Sequence, residues 1–124
     1  MARARKVAVE RRRFEELVEE ALAQLPARFR ALLENVVIIV EDAPAAQRAL
    51  SPGDTLLLGL FQGVPRPQKT VFDPLPTPDR IVLYQRNIEA VCRTEEEIRE
   101  QVRLTVLHEL GHYFGLSEAE LHHL

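Results

Sequence analysis

Two histidines four residues apart, with a glutamate after the first, are the residues of this chain best suited to chemistry: His108-Glu109-Leu110-Gly111-His112. On a helix, residues four apart lie one turn away on the same face. Both imidazoles can then bind one metal ion without bending the backbone. Glu109 projects beside that face, where its carboxylate can take a proton from a water while staying offset from the ligand row. Zinc suits such a site because it lowers the pKa of bound water to roughly 7 and polarises a carbonyl oxygen. With 4 His and 15 Glu in 124 residues, chance alone gives the spacing in roughly one chain in 60. Requiring Gly115 as well lowers that to under about one in 1,000. The competing structural reading, two polar residues on a half-exposed helix face, leaves Glu109 and Gly115 unexplained.

The motif needs a helix to carry it, and the pattern supplies one. Thr94 and Glu97 form a capping box, and Ile98, Val102, Val106 and Leu110 follow four apart, so the longest helix runs from there to about Phe114. Gly115 is placed to end it in the left-handed conformation. Ser117 and Glu120 make a second capping box and open a short last helix. Upstream, Phe14, Leu17, Val18, Ala21, Leu22 and Leu25 mark an amphipathic helix from about Arg11 to Gln24, and a second runs from Pro26 to about Glu34. Val36 to Val40 is a β-branched run of strand length, expected to be buried on both faces or nearly so. Thr55–Phe61 and Arg80–Gln85 read as two more strands. Between them, Gly63–Pro78 carries five of the eight prolines and is long enough for a functional flap. The expected architecture is α+β: a single domain over residues 1–124, with a small twisted mixed sheet of about three to four strands packed against helices. The histidine motif sits on its last long helix.

A third metal ligand is required. His108-Glu-x-x-His112-x-x-Gly115-x-x-Glu118 is similar to the extended metzincin spacing, in which Glu118 stands where those enzymes carry histidine or aspartate. Glu118 is the preferred ligand, with Glu120, His122 and His123 as competitors, and a dipole-favoured first-turn acid is its plain alternative. Leu58-Gly-Leu-Phe-Gln-Gly-Val-Pro65, Arg80-Ile-Val-Leu-Tyr-Gln-Arg-Asn-Ile88 and Val106-Leu-His-Glu-Leu-Gly-His-Tyr-Phe-Gly-Leu116 together resemble the small bacterial zincin-like metallopeptidases, or minimal zincins. The likeness extends from about Phe14 to Leu121 and is strongest from Arg80 onward. It implies a half-sized zincin in which His108, His112 and an acidic residue at 118 bind Zn2+ and Glu109 is the general base. Met1 is the only methionine, so the Met-turn of full metzincins has no counterpart. Only 12 residues follow His112. The lower wall of the cleft is therefore expected from the N-terminal helix, the proline-rich loop, a second subunit or protein partner, or the substrate.

These features favour a zinc-dependent peptidase acting on a peptide or protein substrate, held by backbone pairing to the Arg80–Gln85 or Thr55–Phe61 strand. Its activity is expected to be weak or to need a partner. Tyr84 and Tyr113 are candidate donors to an oxyanion, though a core-edge role suits each better, and Phe61, Phe72 and Phe114 read as packing. The alternative is a non-catalytic or vestigial metal-binding protein that works through protein–protein interaction, but a structural site has no use for Glu109. A three-histidine nuclease and a peptide deformylase are disfavoured, the latter because Cys92 lacks the required context. Cys92 reads as a small buried thiol.

Charge and composition narrow the classes further. The net charge is −3, which disfavours nucleic acid as a partner. The basic residues nevertheless cluster at the start: Arg3, Arg5, Lys6, Arg11, Arg12 and Arg13 face only Glu10. Residues 1–12 thus form a basic arm, either for an acidic partner or simply a frayed terminus. No apolar stretch approaches membrane-spanning length, no secretory signal follows the basic segment, and the single cysteine excludes an internal disulfide. The expectation is a cytoplasmic protein with no membrane partner. For the ligand set, Glu118→Ala should weaken zinc binding far more than His122→Ala or His123→Ala in a competition titration with a chromophoric chelator; equal affinities would reject the assignment.

Overall fold

In the computed structural model, residues 7–45, 56–63 and 79–115 are described. Helix α1 spans Arg11–Ala23, and its buried stripe of Phe14, Leu17, Val18 and Ala21 follows the helical period. Pro26 cannot continue the α1 hydrogen-bond ladder, and α2 (Ala27–Leu32) starts directly after it. A single 3-10 turn, Leu33–Asn35, leads into strand β1, Val36–Glu41. Strands β2 (Gly59–Gln62) and β3 (Asp79–Tyr84) follow, then the short α3 (Gln85–Ala90) and the 20-residue α4 (Glu95–Phe114).

The three strands form one mixed sheet in the order β1-β3-β2. β1 pairs with β3 in parallel, with Ile38 opposite Ile81, and β2 pairs with β3 antiparallel, with Phe61 opposite Ile81. This order corrects one expectation. β1 is not buried on both faces: it lies at the sheet edge, Val37 is exposed, and its other valines and isoleucines are half-buried. The central position goes to β3, where Ile81, Val82, Leu83 and Tyr84 are all buried. β-branched composition marks a strand, but the number of neighbours is settled by pairing. β2 also begins later than its hydrophobic run suggests, at Gly59. Helix α3 has no counterpart in the sequence reading, because Gln85-Arg86-Asn87 continues the strand pattern until the chain turns.

Helices α1 and α4 pack on one face of the sheet. Ile81 and Leu83 enter a single core with Phe14, Leu17, Ile98, Val102, Val106 and Leu110. Along β3 successive side chains alternate between faces, which sends Val82 and Tyr84 to the opposite side. Both ends of α4 are fixed. Thr94 Oγ1 accepts from the Glu97 amide at 3.1 Å, and Glu97 in turn accepts from the Arg93 amide at 3.2 Å. The capping box therefore closes one residue upstream of its usual donor. Three glutamates in the first turn match the helix dipole. At the far end Gly115 adopts φ 69° and ψ 29°, the left-handed cap that its residue type favours.

Part of the basic N-terminal segment is tied to the fold. Val7 and Val9 pack against the core. The Val9 amide donates to Glu89 and the Val9 carbonyl accepts from Gln85, both at 2.9 Å. Arg11 donates to Gln85 at 2.7 Å, to the Val40 carbonyl at 3.0 Å, and to Asp42. Residues 1–6 lie outside the described residues, as do residues 46–55, the proline-rich loop at residues 64–78 and the helix expected at Ser117. Among the described residues no helix is long and apolar enough to cross a membrane.

One contact sets how closely α4 approaches the sheet. A Cβ on Gly59 would lie 2.7 Å from Thr105 Cγ2 and 3.1 Å from the Val82 carbonyl oxygen. Thr105 is β-branched and stiff, so neither neighbour yields easily. Gly59→Ala should destabilise the protein by about 1–3 kcal/mol, read from the urea midpoint, and Thr105→Ala in the same chain should recover most of the loss.

Candidate metal centre

Helix α4 presents His108 and His112 on consecutive turns, both exposed to solvent. Their ring centroids are 4.4 Å apart with a 53° tilt. Rings this close on one helix face are the pair that would hold a common ion. Two imidazoles with open solvent beside them are a donor set that fits zinc. Among the described residues no group of three His, Cys, Asp or Glu side chains gathers into a metal site. Glu118 and its competitors Glu120, His122 and His123 lie outside those residues.

Glu109 is half-buried and faces β2. Its Oε2 accepts from the backbone amide of Phe61 at 3.3 Å. The same stretch of helix is clamped to β2 by a ring stack, Tyr113 on Phe61, with centroids 4.0 Å apart and planes 17° from parallel. Tyr113 also meets Phe114 edge-on at 5.0 Å. Phe61 thus holds the site twice, through its ring and through its amide. Sequence reasoning assigns it to packing and has no means of seeing the amide, since backbone donors carry no residue-type signal.

A cleft of about 360 Å³ opens beside His108 and Glu109. One wall is the helix face of Gln101, Leu104 and Thr105; the other is the chain from Leu56 to Gly59. Gln101 donates to Thr105 across one helical turn at 3.3 Å. Leu57 and Leu104 are exposed at its mouth. The strand-side wall is anchored by Asn87, whose buried amide donates to the Leu57 carbonyl at 2.7 Å. Apart from His108 and Glu109, the helix-side lining residues do not stand out in the sequence as part of a site, and Leu56 to Gly59 do so only as part of a candidate peptide-pairing strand. Helical spacing offers a signal for half of them, since 101, 104, 105, 108 and 109 share a face; the strand-side half follows only from tertiary contact.

Other candidates are placed elsewhere. Tyr84 is buried on the sheet face opposite α4, where burial and the nearby Glu41 raise its pKa, so it is not brought to His108. Cys92 is buried in the core at the end of α3. Burial, with Glu97 and Glu89 nearby, pushes its thiol up to about 11. Among the described residues it joins no group of metal-ligating side chains. Phe72 lies outside the described residues.

Comparison with known proteins adds an independent observation. A solved structure, that of a conserved hypothetical protein from T. thermophilus, is 26% identical and has a TM-score of 0.54. The match covers 86% of this chain and 94% of that one. No curated protein matches the chain. The family model described as zincin-like metallopeptidase matches residues 33–124, a span that takes in all three strands, α4 and the residues after it. With the paired imidazoles and the adjoining carboxylate on the last long helix of a mixed sheet, this chain belongs to the zincin-like metallopeptidase family.

Proposed function

We propose that the protein is a zinc-dependent peptidase in which Glu109 is the general base. The observation that carries this reading is the position of Glu109, next to His108 at the mouth of a cleft, with its carboxylate against the β2 edge. His108 and His112 hold the ion, with Glu118 as third ligand. When bound, zinc supplies a Lewis acid and lowers the pKa of a water. Glu109 takes the proton of the attacking water and delivers it to the departing amine nitrogen, the two halves of general acid–base catalysis.

Substrate alignment falls to β2. Among the described residues β3 has β1 on one side and β2 on the other, which leaves β2 as the one of the two candidate strands open to peptide pairing. The Tyr84 amide donates to the Leu58 carbonyl at 3.0 Å, so Leu58, Leu60 and Gln62 direct their amides and carbonyls inward to β3. By alternation, Gly59 and Phe61 direct theirs outward. An extended peptide adding to that edge brings its backbone past Glu109 and lays a side chain into the leucine-lined cleft. The cleft volume lies at the small end of ligand sites, about 300–1,000 Å³, and Leu57 and Leu104 at its mouth favour an apolar side chain there.

Purified wild type and Glu109→Ala should both hold stoichiometric zinc, while peptide hydrolysis falls by about 10²–10⁴-fold in the variant. A zinc-loaded wild type with no hydrolysis that Glu109→Ala abolishes would overturn the reading. Leu104→Asp should lower kcat/KM about tenfold for peptides with an apolar residue beside the scissile bond. It should leave peptides with glycine there unchanged, as followed by mass spectrometry of the products.

A further inference from the structure

We propose that the backbone amide of Phe61 is a positioning group that holds Glu109 in the free protein and is handed over to the substrate when a peptide docks on β2. This inference rests on the peptidase reading and deepens it. The amide donates to Glu109 Oε2 at 3.3 Å. The pairing register makes it one of the outward-facing donors of an edge that, among the described residues, has no partner strand. An extended peptide added to this edge needs the same donor for one of its own carbonyls. One N–H serves one acceptor well, because the angular optimum for a second is lost. The carboxylate and the incoming carbonyl therefore compete. The backbone position of Phe61 is itself fixed by its ring stack on Tyr113 and by the Gly59–Thr105 contact, so the donor does not move to satisfy both.

The consequence is a coupling between docking and catalysis. In the free protein Glu109 is held against the strand. A substrate long enough to offer its carbonyl at Phe61 takes over that amide and frees the carboxylate to turn toward the histidines. A substrate too short to reach Phe61 leaves Glu109 engaged. Length then acts on kcat and not only on KM, which a merely structural amide would not produce.

The test is amide hydrogen exchange at Phe61, read by NMR on the full chain, with an acetylated and amidated alanine–leucine pentapeptide as probe. In the free protein the Phe61 amide should exchange about tenfold more slowly than in Glu109→Ala, the loss of one hydrogen bond. Saturating pentapeptide should restore slow exchange in Glu109→Ala. Exchange that is the same in both proteins, or that the peptide does not slow in the variant, overturns the proposal. The measurement needs no turnover, so the hand-over can stand where hydrolysis fails and can fail where hydrolysis stands. As a second arm, Phe61 is replaced by its α-hydroxy acid, which removes the N–H and keeps the ring. This ester form should raise kcat for dipeptide substrates toward the value for pentapeptides; an unchanged length dependence counts against the proposal.

Discussion

The close approach of α4 to β2 at Gly59 is the constraint from which the arrangement of the site follows. With hydrogen in place of a side chain, the strand backbone comes within reach of Thr105. One turn further along the same helix face, Glu109 meets the Phe61 amide, and at the next turn Tyr113 stacks on the Phe61 ring. Thr105, Glu109 and Tyr113 are four residues apart and form one row, which brings the three contacts into register with a single strand. A Cβ at Gly59 would act like a wedge at one end of that row. The spacing of His108 and His112 is intrinsic to the helix, but their relation to the strand edge is not.

The remainder of the fold serves to keep that row in place. Ile98, Val102, Val106 and Leu110 are fully buried against α1 and β3, so the helix cannot rotate without exposing a large apolar stripe. Arg13 of α1 pairs with Glu95 at 2.8 Å, a bond that holds the Glu95 carboxyl below the usual carboxylate range. Both partners are substantially exposed, so this pair contributes orientation more than stability. The burial of Asn87 has a different purpose. Its amide satisfies a carbonyl of the segment entering β2, and a buried polar group is tolerable only when paired in this way.

The two edges of the sheet differ in how they are managed. At the β1 edge, Arg11 donates to the Val40 carbonyl, and a charged side chain on an edge discourages further pairing. At the β2 edge, the Phe61 amide is engaged, and its acceptor is the carboxylate to which the chemistry is assigned. An edge strand is ordinarily a liability. Here, among the described residues, its open side faces the histidine-bearing helix and a leucine-lined cleft, the arrangement on which the proposed peptide pairing rests.

Helix α4 could be read from the sequence almost to the residue, because its signals are local. Thr94 caps, an apolar residue recurs every fourth position, and Gly115 supplies a left-handed terminus; each acts within one or two turns of its own backbone. The pairing of His108 with His112 was legible for the same reason, since helical periodicity fixes it before any tertiary contact forms. What the sequence could not determine was non-local. Strand order made β3 central and put the β-branched β1 at the edge, because pairing partners far apart in the chain decide burial. The cleft, the Asn87 anchor and the Phe61–Glu109 bond depend on backbone groups or on residues 30 and 48 positions apart. Backbone amides are identical at every position, so only the tertiary structure could single one out.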